Sequence, residues 1–344
     1  MTAPNPSSPL FIIGTERSGS NLLRLILDAH PRLFVPHPPH ILRYFSPLEP
    51  RYGDLAQDDA FRRLVDDVLR LVDGHIHRWD RIPPAPEVIA LAPSRDLFGV
   101  FAGVYESARQ ASGKPRWGCK STFVVDHGAR VIQTFPGARF LWLVRDPRDV
   151  VVSSASSVFS PFHPYFTARL WAEQQATALA LEAAHPQAVL RVPYEALVSA
   201  PEAQVQAVCD FLGETPDPAM LAWYTRDEAR RSASLSESWA NTGKPIQRGS
   251  VGRWQQALRP DEVALVETLA GPAMQALGYA GSGLPPVKVG PLDRARYRLA
   301  DRAGWLQVEA RSLRRDRNVW QRWGREVLMR RIALELRLHP PGPG

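Results

Sequence analysis

Short runs of apolar residues alternate along this chain with longer stretches in which apolar residues recur every three or four positions. The short runs predict buried strands at residues 10–14, 116–120, 139–144 and 188–192. The longer stretches predict helices at residues 19–29, 58–72, 96–112, 123–134, 167–184 and 202–212. Such alternation predicts an α/β fold with three layers, in which helices cover both faces of a doubly wound, mainly parallel sheet.

Three segments interrupt this pattern. Residues 35–40 are rich in proline and cannot be helical. Residues 225–253 are polar, with many serines and glycines, and predict a long loop that is either a functional lid or disordered. Beyond residue 285 the sequence becomes rich in arginine and prone to helix. We therefore expect a main domain over residues 9–285 and a basic, Arg- and Trp-rich helical extension over residues 286–344.

The extension carries the excess positive charge of the chain. Of a net charge of +7, residues 286–344 contribute +8, from 14 basic and 6 acidic residues, so the rest contributes −1. The main domain therefore gives no sign of nucleic-acid binding. One helical apolar stripe is predicted here; its members are Trp320, Trp323, Val327, Leu328, Ile332 and Leu336. That helix could pack on its own domain, lie on an anionic membrane, meet an acidic acceptor or join two subunits.

Composition narrows the class of protein. The 344 residues are 44% hydrophobic and 9% aromatic, which is typical of a globular protein with a full core. Two cysteines, Cys119 and Cys209, are too few for a disulfide framework or a metal cluster, so a reducing cytoplasm is the expected location. Residues 1–9 do not resemble a signal peptide, and no apolar run is long enough to predict a membrane-spanning helix.

The first predicted strand leads into a loop that resembles a phosphate-binding loop. Gly14 and Gly19 have the Walker A spacing, but Ser20 and Asn21 occupy the positions of its Lys and its Mg²⁺-binding hydroxyl. The cation, Arg17, lies within the loop instead. Backbone N–H groups and the N-terminus of the following helix still suit a phosphate or a sulfate group. We expect a nucleotide with anionic groups to bind here without a metal ion.

Separated motifs together resemble the sulfotransferases that use 3′-phosphoadenosine 5′-phosphosulfate, over about residues 9–258. In the family's order, the motifs are TERSGSNL (15–22), RDPRDVVVS (145–153) and RGSVGRW (248–254), with YEAL (194–197) as a further segment. The likeness is nearer to the Golgi, tyrosylprotein-type and bacterial branches than to the cytosolic phenol-type branch. A P-loop-like α/β fold and sulfonyl transfer are what this resemblance implies.

The resemblance also implies which residues bind the donor. For the 5′-phosphosulfate they are Arg17, Ser18, Gly19, Ser20 and Asn21; for the 3′-phosphate, Arg145, Ser153, Arg248 and Gly249; and beside the adenine, Tyr194. Lys120, at the end of the second strand, resembles a lysine of the Golgi-type and bacterial branches. With Arg17 it would stabilise the negative charge that develops during transfer. No metal is expected in this site.

The acceptor needs a general base, and here the sequence departs from the family. Some branches have a Glu at the position of residues 36–40, where this chain has none. A histidine can serve, because its pKa near 6.5 leaves it mostly neutral at pH 7. We favour His40 over His37, with His127 as a third candidate.

The predicted function is therefore sulfonyl transfer to a hydroxyl or amine of a small-molecule, lipid or saccharide acceptor. We expect contributions to the acceptor site from residues 41–46, 55–112, 159–166 and 225–247. The alternatives are a P-loop kinase or hydrolase, and a catalytically degenerate scaffold that still binds nucleotide. The extension could add a peripheral membrane contact or a homodimer contact.

Overall fold

A computed structural model of the chain describes residues 8–338, except for the side chain of Arg248. Five parallel strands form one sheet in the order β2-β3-β1-β4-β5. Their bounds are β1 Leu10–Gly14, β2 Leu33–Phe34, β3 Arg116–Lys120, β4 Arg139–Val144 and β5 Val189–Pro193. Because β1 is central and all strands run in parallel, the segments that follow β1, β3, β4 and β5 emerge at one edge of the sheet.

Fifteen α-helices lie within residues 8–338. They are α1 Ser20–Asp28, α2 Ile41–Phe45, α3 Asp58–Asp73, α4 Ala85–Leu91, α5 Leu97–Ser112, α6 Gly128–Thr134, α7 Pro147–Ser154, α8 Pro164–Ala184, α9 Tyr194–Ser199, α10 Pro201–Leu212, α11 Asp227–Leu235, α12 Trp254–Ala257, α13 Pro260–Ala276, α14 Pro291–Arg315 and α15 Val319–Leu338. Short 3₁₀ turns occur at Glu49–Tyr52, Thr122–His127, Pro218–Met220, Trp223–Thr225, Glu237–Gly243 and Arg248–Ser250.

Alternate residues of the central strands pack into two separate cores. Phe11 and Ile13 of β1 join one core with residues of α3, α5 and α8, while Leu10 and Ile12 join the other with residues of α1 and α10. Successive side chains of a strand point to opposite faces, so both faces of the sheet are covered. This arrangement confirms the predicted α/β fold with three layers and a mainly parallel sheet.

The structure corrects three of the predicted elements. Residues 225–253 are not one long loop, because α11 and two 3₁₀ turns lie within them. The helix predicted over 123–134 divides into a 3₁₀ turn and α6. The predicted apolar stripe of α15 is right in part: Leu328, Ile332 and Leu336 pack on the main core, whereas Trp320 and Val327 are 71% and 64% exposed. The face that joins the main core contains Met329, Ile332 and Leu336.

The two helices of the extension contact the main domain at different places. Asp301 of α14 accepts hydrogen bonds from the backbone N–H groups of Phe162 and His163, at 2.8 and 2.7 Å. The ring of Tyr297 stacks on His163, with centroids 4.4 Å apart. Helix α15 packs against the core beside α3. The division into domains at residues 9–285 and 286–344 stays a prediction.

Candidate active site

The loop between β1 and α1 requires two of its glycines. At Gly14 φ is +138°, and an added Cβ would lie 2.3 Å from the carbonyl oxygen of Leu143 on β4. At Gly19, which caps α1, φ is +95°, and a Cβ would lie 2.5 Å from the ring of Tyr194. L-residues with side chains rarely adopt these angles. The loop therefore presses its backbone against β4 and α9, and α1 begins with free N–H groups directed at the loop.

Arg17 lies in this loop in the left-handed region, with φ of +70°. Its Nε donates to Ser153 Oγ at 3.2 Å, and both terminal nitrogens donate to the carbonyl oxygen of Ser238 at 3.3 Å. Burial, with the neighbouring Arg145 cation, lowers the pKa of Arg17 to about 10. The guanidinium therefore remains charged at pH 7, directly beside the N-terminus of α1.

Arg145 lies at the end of β4 and joins the donor motifs. Its terminal nitrogens donate to the carbonyl oxygens of Arg17 at 2.9 Å and Ser250 at 2.7 Å. Its guanidinium lies 4.3 Å from the centre of the Tyr194 ring. The Tyr194 hydroxyl in turn lies 2.7 Å from Ser250 Oγ. Segments distant in sequence thus meet at the carboxyl edge of the sheet.

The third motif contacts this group through its backbone. Asp149 of α7 accepts hydrogen bonds from the N–H groups of Gly252 at 2.7 Å and Trp254 at 3.0 Å. Arg148 lies 3.8 Å from the Trp254 ring centre, so that tryptophan packs on α7. Gly249 does not line the cavity beside the loop. The side chain of Arg248 lies outside the described part of the structure, and the donor roles of both residues stay predictions.

Several buried polar atoms beside the loop have no hydrogen-bond partner among the described residues. They are Ser18 Oγ, Asn21 Nδ2 and Arg145 Nε. Buried polar groups are normally satisfied, so unpaired donors beside a helix N-terminus fit the binding of an anionic group. Asn21 cannot supply a hydroxyl for Mg²⁺, and its Oδ1 accepts from Arg24 Nε at 2.8 Å.

A cavity of about 870 Å³ opens beside the loop and brings most predicted site residues together. The predicted residues that line it are Arg17, Gly19, Ser20, Asn21, His37, His40, Lys120, Arg145, Ser153 and Tyr194. Ser18 is fully buried and does not line the cavity. His127 does not line the cavity; its ring packs edge-on against Phe98 of α5. We therefore no longer consider His127 a candidate base.

Lys120, at the end of β3, and Glu16, in the loop after β1, both line the cavity. Burial and the nearby Arg24 cation lower the pKa of Lys120 to about 8, so most of it carries a charge at pH 7. Glu16 Oε2 accepts from Ser160 Oγ at 3.3 Å. Burial raises the pKa of Glu16, against the opposing effect of Arg43, Lys120 and Arg17. Sequence reasoning missed Glu16: the one available signal was a carboxyl group inside the loop.

The two histidines of the 35–40 segment have different surroundings. His40 lies in the left-handed region at φ of +58°, which is uncommon for a residue with a side chain. Its Nδ1 lies 3.0 Å from Ser121 Oγ, and its Nε2 makes no hydrogen bond among the described residues. Burial and the Lys120 cation hold the pKa of His40 well below its usual value. The imidazole of His40 is therefore neutral at pH 7.

His37 belongs to a buried cluster of aromatic rings. Its ring centre lies 5.0 Å from that of His75, 5.2 Å from that of His77 and 4.9 Å from that of Trp239. Neither ring nitrogen of His37 has a partner in the described chain. Burial and the neighbouring His75 lower its pKa. Packed on three sides, His37 has less access to an acceptor than His40.

Other parts of the cavity wall come from segments with no local motif. Val158, Phe159 and Ser160 and the turn from Glu237 to Thr242 form part of the wall. Trp239 and Phe159 stack there, with centroids 5.1 Å apart. Further lining comes from α2, α14 and α15: Arg43, Tyr44, Trp305, Arg311, Arg322, Trp323, Arg325, Glu326 and Arg330. The sequence did not predict that the extension would line the cavity.

Two general features of the described chain bear on its class. Across residues 8–338 no group of three or more His, Cys, Asp or Glu side chains is arranged to hold a metal ion. In the same part of the chain no helix combines the length and apolar character needed to cross a membrane.

Comparisons with known proteins agree with this geometry. The family model described as "Sulfotransferase family" matches residues 9–218. Protein-tyrosine sulfotransferase A of Caenorhabditis elegans is 28% identical over 300 residues, which cover 82% of this chain and 70% of that protein. Protein-tyrosine sulfotransferase of Drosophila melanogaster is 25% identical over 335 residues, 94% of this chain and 60% of that one. The solved sulfotransferase domain from the curacin biosynthetic pathway shares the fold, with 20% identity, a TM-score of 0.54 and coverage of 82% of this chain and 100% of that one.

Because the family model matches more than half of its residues, the chain belongs to the sulfotransferase family.

Proposed function

We propose that this protein transfers a sulfonyl group from 3′-phosphoadenosine 5′-phosphosulfate to a hydroxyl or amine without a metal ion. The observation that carries the proposal is the meeting of Arg17, Arg145, Ser153 and Tyr194 around the N-terminus of α1. Unpaired donors beside this group fit the phosphates of the donor. When bound, the donor supplies an activated sulfonyl group whose leaving group is 3′,5′-bisphosphoadenosine.

The loop and two cations would stabilise negative charge at the 5′ end of the donor. The free N–H groups of α1 carry roughly half a positive charge between them. Arg17 adds a fixed cation, and Lys120 lines the same cavity. Groups already oriented toward developing charge lower the barrier without reorganising during the reaction. Arg145 and Ser153 would hold the 3′-phosphate, which fits the unpaired Arg145 Nε.

His40 is the proposed general base. If Nδ1 carries the ring proton and donates it to Ser121 Oγ, then Nε2 presents its lone pair to the acceptor. Its lowered pKa keeps it neutral at pH 7, although a lowered pKa also makes it a weaker base. Glu16 is then a counter-charge for Arg43, Lys120 and Arg17.

A P-loop kinase or hydrolase is the main alternative. It is disfavoured because Ser20 and Asn21 stand where Lys and a metal-binding hydroxyl are needed, and Asn21 Oδ1 bonds Arg24. A catalytically degenerate scaffold would bind the nucleotide but would transfer no sulfonyl group to any acceptor. Both cysteines are buried free thiols, which supports our expectation of a reducing, cytoplasmic location.

The test is mass spectrometry of a host extract incubated with the protein and donor labelled in the sulfonyl group. We expect the label in at least one acceptor, and not with the Arg145→Ala variant. Labelling that requires Mg²⁺-ATP instead of the sulfonyl donor would contradict the proposal. Tight binding of bisphosphoadenosine with no labelled product in extracts of several kinds would favour the scaffold.

A further inference from the structure

We propose that the acceptor carries a phosphate group, which arginines of α2 and α15 bind where they line the cavity, while its hydroxyl lies near His40. This inference rests on the proposed sulfonyl transfer and names the class of acceptor. The residues of α15 lie outside residues 9–218, to which the family model matches. The family match therefore carries no information about the side chains of α15.

Arg325 is the residue on which the inference depends. It lines the cavity but is only 8% exposed, and its buried Nε has no partner within the described chain. Its nearest carboxylate is that of the adjacent Glu326, at 3.3 Å, and that group is half-exposed and also accepts from the Tyr44 hydroxyl at 3.2 Å. Buried cations are normally paired with anions in good geometry. This one lacks such a pair.

Arg43 adds a second cation at the same place. The guanidinium carbon of Arg43 lies 5.6 Å from the centre of the Tyr44 ring, and that of Arg325 lies 5.3 Å from it. One carboxylate, that of Glu326, accompanies these two guanidinium groups beside the Tyr44 ring. Arg43 makes no ion pair with any described carboxylate, and neither does Arg330, which also lines the cavity.

Two other cavity-lining arginines of the extension have carboxylate partners. Arg322 donates to Glu309 at 2.7 Å and to Ser312 Oγ at 2.9 Å. Arg311 pairs with Glu237 at 3.0 Å. Among the cavity-lining arginines of α2 and α15, Arg43 and Arg330 have no described carboxylate within ion-pair distance, and Arg325 has only that of Glu326. Arg43, Arg325 and Arg330 line one cavity, and such a set of cations fits a phosphate monoester, which offers several oxygens and up to two charges.

The walls beside these arginines are partly apolar. Trp305 and Trp323 line the cavity with exposed faces, and both belong to the extension. Their rings can cover the carbon skeleton of an acceptor whose phosphate is bound by arginine. A phosphate and a hydroxyl on one carbon skeleton occur in soluble phosphate monoesters and in lipid headgroups. The two sources share the same recognition chemistry.

The experiment measures binding to the full chain saturated with 3′,5′-bisphosphoadenosine, so that the donor loop is occupied. Two matched pairs of probes differ only by the phosphate: glycerol 3-phosphate against glycerol, and lysophosphatidic acid against monoacylglycerol. Calorimetry or tryptophan fluorescence gives the dissociation constants. The first pair tests a soluble phosphate monoester, and the second tests a lipid headgroup.

The variants are Arg325→Gln and the exposed Arg43→Gln, with Arg337→Gln as the control. Arg337 lies on the same helix, is exposed and does not line the cavity. We expect at least one phosphate probe to bind about tenfold or more tightly than its neutral partner, since the neutral probe makes no charge-assisted hydrogen bonds to arginine. Each test variant should lose about tenfold, and the control nothing. Arg43→Gln keeps the test valid if the buried variant does not fold.

Equal binding of charged and neutral probes, or no binding of either phosphate probe, would overturn the inference, as would equal behaviour of Arg43→Gln and Arg337→Gln. Preference for glycerol 3-phosphate indicates a soluble acceptor; preference confined to lysophosphatidic acid indicates a lipid. Binding of bisphosphoadenosine is measured first. If the wild-type chain does not bind it, the proposed function fails; if it binds and the probes are not discriminated, only this inference fails.

Discussion

The two ends of the cavity are built in different ways. The donor end consists of strand ends and the helix starts that follow them, so its residues fall into short continuous motifs around Arg17 and Arg145. The acceptor end combines side chains from α2 and from the two helices of the extension. Backbone geometry positions the first end, whereas tertiary packing of distant elements positions the second. A ligand shared by a whole family fits the first kind, and a ligand particular to one chain fits the second.

The largest effect should come from breaking the donor end. Arg145→Ala removes the cation that links the loop carbonyl at Arg17 to Ser250 and Tyr194. We expect the affinity for bisphosphoadenosine to fall about 100-fold or more, since charged hydrogen bonds and loop positioning are lost together. Calorimetry measures this directly.

Arg139→Ala is the matched control, because Arg139 begins the same strand at the opposite edge of the sheet and lies near Phe211. Its affinity for the nucleotide should stay near that of the wild type. Equal losses in the two variants would show that Arg145 acts through general stability and not through the donor.

The next largest effect should come from His40, the proposed general base. His40→Ala should lower kcat about 100-fold while the affinity for bisphosphoadenosine changes little, because a base acts in the transition state and not on the donor. His127→Ala, at a ring packed on Phe98, should leave turnover unchanged. Undiminished turnover in the His40 variant would remove that residue from the mechanism, and Glu16→Gln would then be the next variant to assay.

A smaller effect is expected from pH, through Lys120. Its lowered pKa of about 8 means that the charged form is present below pH 8 and is lost as the pH rises through that value. If its charge supports transfer, kcat/KM should fall above pH 8, by about tenfold for each further pH unit. The pKa of Lys120 is lower in the folded protein than in the unfolded chain, so the charged side chain lowers the stability of the fold below pH 8. This cost decreases as the pH rises from 8 to about 10 and the folded protein holds Lys120 without its proton.

Lys120→Arg separates the charge from the lysine itself, since arginine keeps its charge at alkaline pH. That variant should extend the plateau of kcat/KM beyond pH 8. If kcat/KM falls above pH 8 in Lys120→Arg as it does in the wild type, the group that titrates is not Lys120.

The same contrast explains how much could be predicted from the sequence. The strand at Leu10–Gly14, the loop and the helix start at Asp146-Pro147 follow from local patterns, since apolar runs, glycine and N-capping residues act over a few positions. The placement of Arg325 over Tyr44, almost 300 residues away in the chain, depends on how α15 packs, and no local signal encodes that.

Errors in the extension and in residues 225–253 have physical causes. The exposed Trp320 and Val327 satisfied a helical spacing as well as the buried Met329, so apolar periodicity alone could not select the packed face. Helix α11 is rich in charged and small residues, and its composition resembles that of a loop. Its helical state depends on tertiary contacts, among them the ion pair from Glu228 to the buried Arg24 at 2.8 Å.

The central claim is that the loop after β1 binds the nucleotide of a sulfonyl donor without a metal ion. The most direct measurement is calorimetric titration of the full chain with 3′,5′-bisphosphoadenosine in EDTA, repeated with Mg²⁺ and set beside Mg²⁺-ATP. We expect one tight site for bisphosphoadenosine, the same with and without Mg²⁺, and much weaker binding of ATP. Preferential binding of Mg²⁺-ATP, or loss of bisphosphoadenosine binding in EDTA, would contradict it.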